Sequence, residues 1–220
     1  MKLLRIILSL LFYSVCTCGQ KNVLYGERNM QRDALAVFYD REGDIYPDYF
    51  IPDSSLMRSN ASLAQWYHDN ATDFIRIATA YRCQFDSYTD ANAAILNDSI
   101  LAVLKRRIDA KKTSYNRVTF LVHGFRKPFR SMNGDSSSPA DYDTLETTVG
   151  RFSDGKSSYV GVYWDGTYDC CFSKNLKRDK EILRLFVAAR GNAVKTGNKL
   201  RELLTGLSFD TLNVITHSLG

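Results

Sequence analysis

The run Arg117–Val122 (RVTFLV) most restricts what this chain can become. Its β-branched and aromatic residues are too continuous in apolar character for a strand with one wet face, so it reads as a buried strand of a parallel sheet. Residues 159–164 (YVGVYW) and Thr211–Thr216 (TLNVIT) read as the next and the final strand. Helical spacing lies between the three, over residues 143–152 and over a long stretch, 179–207, interrupted by Gly191 and Gly197. Strand, helix, strand, helix, strand predicts an α/β fold, a mostly parallel sheet flanked by helices.

Upstream, residues 34–40 (ALAVFYD) and 45–51 (IYPDYFI) read as an antiparallel hairpin closed by Arg41, Glu42, Gly43 and Asp44. Pro47 places the second arm at a sheet edge. Apolar residues at helical spacing predict one amphipathic helix over 62–82 and another over 91–110. Residues 129–142 (FRSMNGDSSSPADY) are rich in Ser, Asp, Gly and Pro and read as a surface loop that either covers a site or decorates the surface.

The chain has 220 residues, which suits one domain with room for a targeting segment. Residues 1–18 have the layout of an export signal: Lys2 and Arg5, an apolar stretch, then small residues ending at Cys18. Cys18 is a lipidation candidate, with Val15 and Gly19 in favour and Thr17 against. Both a membrane-anchored lipoprotein, the favoured reading, and a plainly secreted or periplasmic protein therefore remain open. Residues 19–33 form a linker, and 34–220 the domain. The net charge of +5 includes Lys2 and Arg5 of the signal, and the remaining basic residues form no stripe with aromatics. Nucleic acid is therefore not an expected partner. Cys83, Cys170 and Cys171 lack the spacing of a zinc site and read as buried thiols, with a bridge from Cys83 to one of the pair conceivable in an oxidising compartment. Sequons at Asn60, Asn70 and Asn97 would matter only in a eukaryotic secretory pathway.

In parallel sheets, ligands bind at the carboxyl ends of the strands. Three features fall there: His123-Gly124-Phe125, Asp165-Gly166 and His217-Ser218-Leu219-Gly220. A serine held where a strand turns sharply into a helix can be exposed to a base and to oxyanion-binding amides, and such a turn needs small neighbours. Gly220 satisfies this two places after Ser218; Thr216 stands where the usual pattern has glycine. From Arg117 onward, about half of the chain, the sequence resembles the α/β-hydrolase superfamily, in particular its lipase-like and esterase-like members and bacterial members with HGF and HSLG motifs.

The resemblance implies a nucleophile at Ser218 and an oxyanion hole built from the backbone amides of Phe125 and Leu219. Gly124 would let the backbone approach substrate, and His123 and His217 would shape the site rather than act as base. Asp165 would cap a turn or touch substrate. The implied reaction is hydrolysis of an ester or related acyl bond in a small-molecule or lipid substrate, with no cofactor and no metal. In chain order the triad's acid and base follow the serine, and no candidate for either stands after Ser218 here. Taken literally, the 220 residues are expected to be an inactive fragment, incomplete at the C-terminus. The alternative is a noncatalytic exported or membrane-anchored binding protein on a hydrolase scaffold.

Overall fold

The computed structural model describes residues 35–47, 62–124, 138–152, 157–164 and 178–217. Four strands among them form one sheet: β1 (Leu35–Phe38), β2 (Arg117–Val122), β3 (Ser157–Tyr163) and β4 (Thr211–Thr216), in the spatial order β1-β3-β2-β4. Every pairing is parallel, and β2 and β4 run in register from Arg117 opposite Thr211 to Val122 opposite Thr216.

Among the described residues, five α-helices accompany the strands: α1 (Leu63–Asp69), α2 (Ala71–Ala80), α3 (Asp90–Ala110), α4 (Ser138–Phe152) and α5 (Arg178–Leu204). Strand order decides their sides. From β2 the chain steps to β3 in one direction, whereas β1 to β2 and β3 to β4 step the other way; right-handed crossovers must then put α4 on one face and the remaining helices on the other. The two cores show this division. Val37, Val118, Phe120, Val122, Val160, Val162 and Trp164 pack with α1, α2, α3 and α5, while Leu121 and Tyr163 pack with Tyr142 of α4. Alternate strand residues thus feed opposite cores, as the two-residue repeat of a strand requires. Both faces of β2 are covered, which accounts for its unbroken apolar run.

The helices follow their buried stripes. Leu96, Ile100, Leu104 and Ile108 recur every fourth residue on α3, whose start is capped by Thr89 accepting the Asn92 N–H at 3.1 Å. α5 runs through Gly191 and Gly197 without a break because Ala189, Thr196, Leu200 and Leu203 hold its inner face in the core.

Three expectations change. The single helix over 62–82 is two, because Asn70 leaves helical geometry and caps α1, its backbone N–H and its side-chain amide both donating to the Trp66 carbonyl at 2.9 Å. The loop expected to reach residue 142 gives way to helix at Ser138: the first turn of a helix has no intrahelical N–H bond to lose, so a Ser-Pro pair can open one. The antiparallel hairpin is not an element of the sheet. Among the described residues, β1 pairs in parallel with β3, and the expected second arm meets the first at an antiparallel bridge between Tyr39 and Ile45, flanked by the Tyr46 N–H donating to the Phe38 carbonyl at 2.9 Å and the Asp40 N–H donating to the Asp44 carbonyl at 3.0 Å. The Asp40 carboxylate accepts the Glu42 and Asp44 N–H groups at 2.8 Å and holds the turn, and Asn97 of α3 accepts the outward Ile45 N–H at 2.8 Å. Residues 48–51 of that arm lie outside the described residues.

Candidate active site at the carboxyl ends of the central strands

β2 and β4 end side by side, and the His217 N–H donates to the Val122 carbonyl at 3.0 Å, one step beyond the last paired residues. The two sequence motifs therefore leave the sheet from neighbouring strands at the same level. In-register parallel neighbours lie about 4.8 Å apart.

The end of β2 is satisfied almost wholly by side chains. Tyr142, from α4, inserts its hydroxyl between β2 and β3: it accepts the His123 N–H at 2.7 Å and donates to the Val162 carbonyl at 2.5 Å. Burial holds this phenol well above its ordinary range, so it stays a donor. Gly161 makes room for the arrangement, since a Cβ there would sit 3.0 Å from the Tyr163 ring and 3.2 Å from that of Tyr142. On the other face the Trp164 indole N–H donates to the His123 carbonyl at 2.7 Å.

His123 is buried and stacked on Trp164, ring centroids 5.5 Å apart. Its Nε2 accepts the Trp164 backbone N–H at 3.1 Å, and its Nδ1 lies 2.9 Å from the Gly124 carbonyl. These partners assign the tautomer: an N–H donor on one side requires a bare Nε2, and a carbonyl on the other requires the proton on Nδ1. The imidazole is thereby held neutral and tied to the turn that follows it. Its Nε2 is spent on the backbone, which leaves no lone pair for taking a proton from a nucleophile.

Of the residues singled out in the sequence, His123, Gly124 and His217 are brought to one edge, the first two buried and the His217 side chain exposed. Ser218, Leu219, Gly220, Phe125, Asp165 and Cys18 lie outside the described residues. Trp164 and Tyr163, which could have lined a pocket, are packed into the two cores. Tyr142 escaped the sequence reading, and no pattern in 129–142 marks it as the residue that joins β2 to β3.

Elsewhere, His68 is an exposed surface histidine beside Asp69 at 3.0 Å. Cys83 is a free, buried thiol 3.2 Å from the Ser99 hydroxyl, and Cys170 and Cys171, its conceivable partners, lie outside the described residues. The Asn70 amide donates to Trp66 and the Asn97 carbonyl oxygen accepts from Ile45, so two of the three sequons are engaged in helix capping and packing. Asn60 lies outside the described residues. Among the described residues, no group of three or more metal-ligating side chains occurs, and no helix is long and apolar enough to cross a membrane.

The chain is an α/β protein with a parallel sheet flanked by helices. No family model, curated protein or solved structure matches it.

Proposed function

We propose that the chain carries the nucleophile-bearing part of an α/β-hydrolase acting on an ester or related acyl bond. The observation that carries this reading is the pairing of β2 with β4: parallel, adjacent and in register, with HGF and HSLG following their carboxyl ends. Hydrolysis at a serine needs a nucleophile and two amides within about 3 Å of one developing oxyanion, and two strands ending side by side meet that need without long loops.

In this reading Ser218 attacks the acyl carbonyl, the amides of Phe125 and Leu219 stabilise the oxyanion, each by about 3 kcal/mol, and water releases the acyl group. His123 is a positioning residue. It holds the Gly124 carbonyl on its ring, at the start of the turn that follows β2. The triad's acid and base would follow Ser218 in chain order. An anchored lipoprotein acting on a small-molecule or lipid ester fits the signal-like residues 1–18.

The test is labelling with a fluorophosphonate probe, of the protein expressed from its native gene, followed by peptide mapping. A probe adduct on Ser218, absent from Ser218→Ala, is the expected result. A folded protein that never labels at Ser218 would sink the proposal and leave a noncatalytic binding scaffold.

A further inference from the structure

Across the sheet from β4, beyond β1, the turn after β1, helix α1 and the first half of α3 enclose a cavity of about 190 Å³. Ile45, Leu63 and Ile100 supply apolar wall, and Asp44, Tyr88 and Asn97 supply polar groups. Tyr88 donates its hydroxyl to Asp90 at 2.9 Å, and its ring meets those of His68 and Phe74 in T-shaped contacts. Asn97 spends its carbonyl oxygen on the Ile45 N–H and keeps its NH₂ donors. Asp44 gives its backbone N–H to Asp40, while its half-buried carboxylate makes no hydrogen bond or ion pair among the described residues. The cation that acts on it, Lys199, is itself paired with Glu202 at 3.2 Å.

A half-buried carboxylate beside apolar and aromatic walls is costly unless a donor reaches it. Asp44 and Asp90 repel an anion, and a neutral ligand adds no charge to the partial compensation that Lys199 supplies. We propose that this cavity binds a small protonated amine on a short apolar skeleton, with its ammonium on Asp44 and its chain against Ile45, Leu63 and Ile100. Burial first, then the hydrogen bond to Asp90 and the charges of Asp90 and Asp44, push the Tyr88 hydroxyl up to about 12. The volume equals about six waters' share of the liquid, which suits a skeleton of about five to eight heavy atoms. This inference stands apart from the serine chemistry, since it uses neither β2 nor β4.

The experiment is titration calorimetry of the folded protein with n-butylammonium, n-butanol and butyrate at constant ionic strength. Saturable binding of butylammonium near 1 mM is the expected scale for so small a ligand. Butanol should bind at least about tenfold more weakly and butyrate not at all, because one tenfold step is the loss of a single modest ionic contact. Asp44→Asn should weaken butylammonium about tenfold, and Ala64→Leu, which fills the cavity from α1, should abolish binding, with circular dichroism showing both variants folded. Equal binding of butanol, an undiminished affinity in either folded variant, or no saturable binding to the parent protein would each overturn the proposal.

Discussion

Replacing Tyr142 by Phe removes one oxygen and leaves the ring that packs against Gly161 and Tyr163 in place. Two hydrogen bonds go with that oxygen, one from the His123 N–H at 2.7 Å and one to the Val162 carbonyl at 2.5 Å. Both backbone groups are buried, and a buried polar group stripped of its partner costs about 1–3 kcal/mol, more for the N–H than for a carbonyl with two lone pairs. The expected loss is therefore about 3 kcal/mol. In a chain of this size each kcal/mol shifts the melting temperature by about 2–4 °C, so Tyr142→Phe should melt roughly 6–12 °C below the parent. Urea unfolding followed by tryptophan fluorescence gives the free energy directly. Thr144→Ala, which removes an exposed hydroxyl bond on the same helix, is the control and should change stability by less than about 0.5 kcal/mol. If Tyr142→Phe also falls within that margin, the hydroxyl does not hold the ends of β2 and β3 together, and the account of how the turn after β2 is positioned fails.

Other consequences can be measured in the same way. Burial first, and Asp44 second, push the Asp40 carboxyl up to about 6 from an ordinary 3.8, against three backbone N–H donors that pull it down. A raised folded-state value means that the native state binds the proton more tightly than the unfolded chain does. Asp40 thus subtracts up to about 3 kcal/mol above pH 6, a deficit relieved as the pH falls towards 4; Asp40→Asn should flatten that part of the stability profile, and an unchanged slope would contradict the assignment. Arg82 holds a left-handed φ of 64° where Cys83 N–H closes on the Ala78 carbonyl at the end of α2, so Arg82→Gly should raise stability by about 0.5–1 kcal/mol in urea melts. Among the described residues β4 is an uncharged edge strand with Leu212 38% and Val214 43% exposed, and Val214→Lys should slow aggregation in light scattering while leaving the circular dichroism spectrum unchanged.

The alternation of elements was legible because its signals are local. The runs at Arg117–Val122 and Thr211–Thr216 have the bounds of β2 and β4, the first because a strand covered on both faces has little freedom in composition. The position of HGF and HSLG at strand ends could be read for the same reason. What stayed hidden depends on partners distant in sequence. The arm after β1 turns back on it at the Tyr39–Ile45 bridge rather than joining the sheet among the described residues, and its outward Ile45 N–H is taken by Asn97, 52 positions away. The helix over 62–82 split at an asparagine whose capping bond becomes decisive only once α1 and α2 pack separately into the core.

By itself, then, the sequence determined which segments are strands and helices and which motifs stand at their ends, because periodicity and turn chemistry act between near neighbours. Tertiary structure alone decided that β2 lies between β3 and β4, that a tyrosine from α4 completes its hydrogen bonding, and that His123 is held as a neutral imidazole on the backbone. Those outcomes rest on burial and on the demand that every polar group in a dry interior find a partner, and the chain meets that demand only when distant segments have come together.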